Sequence, residues 1–186
     1  MSLYNYIVIA FSASELCLLI FKRSKTGVKK NDADKRSLLF LWITIPACLT
    51  LAGFISGYRL GPATTDDVVI KIGLAMAIVG FAIRWTAIFA LGKFFTVDVE
   101  ISEQHKLKTE GIYKMVRHPS YLGLILIVIA LGLCMENLVS LAVVVVPIFI
   151  AMNYRITVEE KALTDAFGTQ YTAYSETTAR IIPWIY

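Results

Sequence analysis

The chain alternates long apolar runs with shorter polar ones, and the run lengths predict the elements. Residues 3–21 are apolar apart from Glu15, close to the roughly 20 residues a helix needs to cross about 30 Å of hydrocarbon. A polar loop is predicted over 22–37, then a second crossing over 38–58 with Pro46 inside it. A bundle tolerates such a proline where neighbours re-satisfy the freed carbonyl. Residues 59–67 form a short turn marked by Gly61-Pro62, and Asp66 and Asp67 suit the N-terminal dipole of the next helix. The third crossing covers 68–92, with Lys71 near one end and Arg84 well inside.

Residues 93–117 are the longest polar stretch. Apolar runs at 119–135 and 138–154 are separated only by Glu136-Asn137, so they must form a helical hairpin. The remainder, 155–186, starts as a helix, with Ile156, Glu159, Glu160, Leu163 and Phe167 at helical spacing. It ends in an aromatic-rich tail containing Pro183. The pattern predicts an all-α integral membrane protein with five transmembrane helices and a C-terminal hairpin. Residues 1–92 supply three spans, and 93–186 form a core of polar loop, hairpin and polar C-terminal segment.

Composition agrees. The chain is 57% hydrophobic with a mean hydropathy of +0.67, against about 45–50% apolar for soluble domains. The net charge of +4 informs through its placement. Lys22, Arg23, Lys25, Lys29, Lys30, Lys35 and Arg36 stand against Asp32 and Asp34 in one loop. The positive-inside rule makes that loop cytoplasmic and the N-terminus external, with both large polar segments in the cytoplasm. The same rule accounts for the basic residues without nucleic acid. The first apolar run lacks a basic flank before it and reads as a span, not a cleavable leader. Cys17, Cys48 and Cys134 lie in apolar runs without metal-ligand spacing, so no metal is expected.

Candidate chemistry concentrates at the cytoplasmic ends of the hairpin. A hairpin brings its ends together, so Arg117-His118 should neighbour Arg155 through Glu160. The stretch from Gly111 to Gly123 passes from cationic to apolar and holds one of the two histidines. Pro119 fits a first helical turn, where its missing N–H costs nothing. Taken singly, Arg117, His118, Ser120 and Tyr121 suit structural roles at a membrane surface. Together, and opposite a Glu pair, they suggest a site. Arg155 and Glu159 share a helix face and either form an ordinary pair or divide a ligand between them. In the second reading the guanidinium fork holds a carboxylate. Glu15 and Arg84 lie inside spans, where ionisable groups face the bundle or a cavity. Whether they pair or line a cavity stays open. No dinucleotide-type glycine motif, P-loop or Gly-x-Ser-x-Gly elbow is present.

These residues resemble a known family. His105-x-Leu107-x-Thr109-x-Gly111-x-Tyr113, then Arg117-His118-Pro119-Ser120-Tyr121-x-Gly123, then Arg155 with Glu159-Glu160, followed by Leu163, Phe167-Gly168, Tyr171, Tyr174 and Pro183, resemble the isoprenylcysteine carboxyl methyltransferases. Leu91 to Thr96 is similar too, whereas the N-terminal spans match only as generic membrane helices. The resemblance implies methyl transfer from S-adenosylmethionine without a Rossmann domain. It implies cofactor contacts from His105, Lys106, Leu107, Lys108, Tyr113, His118, Pro119, Ser120, Tyr121 and Glu159, with Asp98, Arg117 and Glu160 as further candidates. It implies that Arg155 holds the substrate carboxylate of a lipid-like prenylated small molecule or prenylcysteine. A member this short implies a prokaryotic cell membrane, with the site facing the cytoplasm.

Departures from the family pattern bear on the acceptor more than the donor. Leu138 follows Asn137 where longer members tend to have proline, and few acidic residues surround Glu159. A lipid-amine N-methyltransferase is the alternative. Behind it stand a nicotinamide-dependent membrane reductase and a non-enzymatic membrane protein. Neither the natural acceptor nor the oligomeric state is readable from the sequence, nor is any lid role for the tail.

Overall fold

The computed structural model describes residues 3–21, 32–64, 66–92, 95 and 107–183. Among these residues six α-helices follow in order: α1 (Leu3–Phe21), α2 (Asp32–Gly57), α3 (Asp67–Leu91), α4 (Pro119–Leu133), α5 (Leu138–Phe167) and α6 (Thr169–Thr177). A 3₁₀ turn, Gly111–Lys114, precedes α4.

α1, α2, α3 and α5 are each long and apolar enough to cross a membrane. α4 has 15 residues, about 22 Å at 1.5 Å per residue, short of the ~30 Å hydrocarbon core. The expected fourth of the five crossings therefore falls on a helix below spanning length. α4 is nevertheless central, with Leu124, Ile127, Val128, Ala130 and Leu131 all buried. Large apolar side chains stand exposed on the outer helices, among them Ile9, Phe40, Ile43, Phe54, Ile78, Phe89 and Ile150. Exposed apolar surface on this scale needs a lipid environment.

Two boundaries differ from the hydropathy reading. α2 begins at Asp32, inside the predicted polar loop, because Asp32 and Asp34 occupy its first turn, where carboxylates favour the helix dipole. α5 runs without a break from Leu138 to Phe167. It joins the predicted fifth span to the predicted polar helix, and its 30 residues extend about 45 Å.

The main packing pairs are α3 with α4, α2 with α5, and α4 with α5, whereas α1 rests on α4. Glycines set the α3–α4 crossing. A Cβ at Gly123 would lie 2.6 Å from the Gly80 carbonyl oxygen and 2.7 Å from the Arg84 nitrogen. Only glycine lets the two backbones approach this closely. The hairpin turn uses Glu136 at φ 52, and Asn137 caps α5 by accepting from Ser140 N at 2.9 Å. At that end residues 62–64 are stitched on by Thr64 N donating to Glu136 O at 2.9 Å and Leu138 N to Pro62 O at 3.1 Å.

The opposite end of the hairpin carries the polar segments. Arg117 N donates to Ala179 O at 2.9 Å and His118 N to Arg180 O at 3.1 Å. The C-terminal tail is thereby fixed along the entrance to α4.

Candidate active site

The arrangement at the start of α4 follows from its sequence. Pro119 occupies the first turn, His118 is the N-cap residue, and the turn is closed by Tyr121 N and Leu122 N donating to His118 O, both at 3.1 Å. Ser120 and Tyr121 therefore project from the first turn of a buried helix. The Tyr121 hydroxyl donates to Glu159 Oε2 on α5 at 3.1 Å. The hairpin thus brings together the two walls that the sequence pattern separates.

Arg155 is 2% exposed. Its Nη1 donates to the Asp34 carboxylate, to Asp34 O at 3.1 Å and to Ser37 Oγ at 2.9 Å. Its ion partner is therefore a carboxylate in the first turn of α2. Glu159, one turn further along α5, has a phenol as its hydrogen-bond donor. Among the described residues no cation lies within ion-pair distance of Glu159.

Glu160 is turned the other way. Its Oε1 accepts from Arg117 Nε at 3.2 Å and lies 3.1 Å from His118 Nε2, and its Oε2 pairs with Arg180 at 2.8 Å. Arg117 also donates to Ser175 O and Thr178 O. Glu160 and Arg117 thus lock the tail against α4 and α5. Behind them, Tyr113 donates to Ala87 O at 3.2 Å and Tyr174 to Tyr113 O at 2.6 Å. Burial pushes the Tyr113 and Tyr171 phenols far above their ordinary range, reinforced chiefly by Glu159 at Tyr113 and by Glu160 at Tyr171. Burial raises Tyr174 to about 12 against the opposing pull of Arg117. These phenols stay protonated near neutral pH and act as hydrogen-bonding and aromatic surfaces, not as bases.

Glu15 and Arg84 both pair and line a cavity. Arg84 Nε donates to Glu15 Oε1 at 2.9 Å and Nη2 to Glu15 Oε2 at 2.8 Å. Arg84 Nη1 reaches Ser120 O at 3.2 Å and Ser120 Oγ at 3.1 Å.

One cavity of about 420 Å³ collects these groups. Its polar end is lined by Leu107, Lys108, Tyr113, His118, Ser120, Tyr121, Arg155 and Glu159. Arg117, Pro119, Tyr171 and Tyr174 complete that end. The other end runs between α1 and α2, past Phe11, Leu18, Leu41, Trp42, Ile45 and Leu49. On α2 the lining residues 38, 41, 42, 45, 46 and 49 follow one helix face over about 16 Å.

Of the expected site residues, Leu107, Lys108, Tyr113, His118, Pro119, Ser120, Tyr121, Arg155, Glu159 and Arg117 line this cavity. Glu160 does not, and Lys108 pairs with Glu110 at 3.1 Å. Asp98, His105 and Lys106 lie outside the described residues. Sequence reasoning missed Asp34 and Ser37, which it placed in a solvated loop, and it missed the α1–α2 wall. The helical spacing along 38–49 was the available signal. In a helix that is apolar all round, one lining face does not stand out.

Comparison with known proteins bears on the family and the fold. The model of the isoprenylcysteine carboxyl methyltransferase family matches residues 73–165, from within α3 through most of α5. The chain is 34% identical over 182 residues to protein-S-isoprenylcysteine O-methyltransferase B of Arabidopsis thaliana, covering 96% of this chain and 90% of that one. It is 36% identical over 117 residues to the A enzyme of the same plant, covering 62% of this chain and 59% of that one. Among solved structures it resembles the eukaryotic intramembrane Ras methyltransferase, with a TM-score of 0.72 and 26% identity over 98% of this chain and 65% of that one. Matched in sequence across nearly its whole length and in fold, this chain belongs to the isoprenylcysteine carboxyl methyltransferase family.

Proposed function

We propose that the protein is an S-adenosylmethionine-dependent membrane methyltransferase that esterifies the carboxylate of a prenylcysteine-type substrate. The observation that carries this is the single cavity joining a polar end at Glu159, Tyr121 and Arg155 to an apolar end between α1 and α2. A substrate with a carboxylate head and a hydrocarbon tail matches both ends at once. The relatives' names supply the reaction class.

The residues fit a methyl donor that carries cationic groups. Glu159 offers a carboxylate whose hydrogen-bond donor is neutral, and Tyr113, Tyr121, Tyr171 and Tyr174 offer aromatic surface beside it. The buried Tyr171 hydroxyl has no hydrogen-bond partner among the described residues, a polar group that a small repacking around a bound ligand would satisfy. Tyr113, His118, Ser120, Tyr121 and Glu159 would hold the donor, with Leu107 and Lys108 at the rim. His105, Lys106 and Asp98 are assigned to the same role by the family pattern alone. When bound, S-adenosylmethionine supplies a methyl group on a sulfonium, and the S–C bond breaks with its electrons returning to sulfur as the C–O bond forms.

The chain's own task is placement. A C-terminal carboxylate, with an ordinary pKa of ~3.3–3.7, is ionised at neutral pH and needs no general base. Arg155, oriented by Asp34 and Ser37, would hold it in line. Glu159 would balance the positive donor. The apolar walls exclude water, which strengthens both interactions and favours a reaction in which opposite charges neutralise.

In this reading the hairpin of α4 and α5 gives five crossings, with the N-terminus outside and the site on the cytoplasmic face. Residues 93–186 form the catalytic half, and residues 1–92 supply the lipid-facing walls. Calorimetric titration of detergent-purified protein with S-adenosylhomocysteine and with NADPH tests it. Binding of the first supports the reading, and binding of only the second would overturn it.

One observation favours a second acceptor class. The Asp34 carboxylate already offsets Arg155, which lowers the preference for an anion and leaves room for a lipid amine.

A further inference from the structure

Resting on the methyl-donor reading, we propose that Arg84 is a positioning residue. Held by Glu15 of α1, it fixes the first turn of α4, and with it the Ser120–Tyr121 wall that grips the donor.

Arg84 divides its guanidinium between two jobs. Nε and Nη2 form a two-bond fork with the Glu15 carboxylate at 2.9 and 2.8 Å, and Nη1 donates to both the carbonyl and the hydroxyl of Ser120. A planar guanidinium can do this, whereas a lysine ammonium cannot span the same two partners in fixed geometry. The pair is almost dry, with side-chain exposures of 8% for Arg84 and 14% for Glu15.

The backbone places it. Gly80 and Gly123 bring α3 and α4 into contact one turn away from Arg84, and Gly123 packs against the Arg84 backbone itself. Ser120 is followed by Tyr121, whose hydroxyl donates to Glu159. A shift of the first turn of α4 would therefore move the Tyr121 ring and its bond to Glu159 together. On the other side, Glu15 ties in α1, which otherwise rests on α4 and is helped by Trp85 Nε1 donating to Ser14 Oγ at 3.0 Å.

A buried ion pair is weak evidence for stability, since an apolar pair of similar volume is often as stable or more so. This separates positioning from mere scaffolding. The double variant Glu15→Met/Arg84→Met leaves no unpaired charge and should fold, with a melting temperature at or above that of wild type in detergent. It should nevertheless bind S-adenosylhomocysteine about tenfold more weakly, as expected for loss of charge-assisted hydrogen bonds that hold the wall. The KM for the methyl donor should rise by the same factor, and the KM for the prenyl acceptor should stay within about twofold. Arg84→Lys, which keeps the charge opposite Glu15, should restore only part of the donor affinity.

Equal affinity in the double variant and wild type would overturn this inference alone. So would a lower melting temperature with unchanged affinity. Absence of S-adenosylhomocysteine binding to the wild-type protein would overturn the methyl-donor reading and this inference with it.

Discussion

Arg155 of α5 is anchored by Asp34 of α2, a residue 121 positions earlier in the chain. The contact sits where α2 packs along α5, and it ties the N-terminal helices to the polar end of the cavity. Asp34 is 2% exposed and Ser37 is fully buried. Neither belongs to the solvated cytoplasmic loop that the charge pattern suggests.

Removing one partner of this pair should be costly. Asp34→Asn leaves a buried guanidinium without its counter-charge, and breaking a buried pair in this way destabilises by about 3–5 kcal/mol. Thermal melting of the detergent-purified variant should show a clear drop, with a smaller one for Ser37→Ala. An unchanged melting temperature in Asp34→Asn would mean that the contact is not formed.

The two acidic neighbours on α5 should behave differently. Glu159→Gln keeps the shape of the side chain and removes the negative charge facing the cavity. It should weaken S-adenosylhomocysteine binding by about tenfold or more, as for loss of a hydrogen bond to a charged group. Glu160→Gln should instead loosen the tail, because Glu160 binds Arg117, His118 and Arg180 behind the cavity wall. Its expected signature is faster proteolysis of the C-terminal segment with donor affinity largely kept. Limited trypsin digestion and calorimetry on both variants check the contrast.

The α3–α4 crossing admits no side chain. Gly123→Ala would press a methyl group against Gly80 O and Arg84 N, and overpacking of this kind costs about 1–3 kcal/mol. Because the same contact sets Arg84 against Ser120, methyl-donor affinity should fall together with stability. Gly57→Ala, where nothing lies near the added carbon, should leave both unchanged.

Stability should decline at high pH. The Tyr174 phenol is raised to about 12 in the folded protein, chiefly by burial, whereas in the unfolded chain it titrates near ~10. Above the unfolded value the unfolded state releases the proton first, so stability is complete below pH ~10 and is lost as pH rises toward the folded value. Melting temperatures between pH 8 and 12 should fall over the upper half of that range. The fall should be smaller in Tyr174→Phe.

Much of the fold was legible because spans are dictated by run length. The first predicted crossing coincides with α1, and the Glu136-Asn137 turn with the hairpin bend. The approach of Arg117 and His118 to Glu160 followed from hairpin geometry. Hydropathy could not show that α2 starts at Asp32, since a buried carboxylate and a solvated one read alike until the partner arginine is placed. Nor could it show the length of α5, whose polar last turns break the apolar run without breaking the helix. The α1–α2 wall stayed hidden because lipid-facing and cavity-facing positions are both apolar. From the sequence Glu15 and Arg84 read either as partners or as cavity residues, and the geometry makes them both.

In the proposed function the cavity unites a methyl donor with a prenylated carboxylate. The most direct test is transfer of labelled methyl from S-adenosylmethionine to an S-prenylated cysteine derivative by the protein in lipid vesicles, followed by base treatment. The account predicts label in the prenylcysteine product, released by base as an ester would be, and absent with Arg155→Ala although that variant still binds S-adenosylhomocysteine. Label that appears only in lipid amines and resists base would contradict it, as would undiminished ester formation by Arg155→Ala.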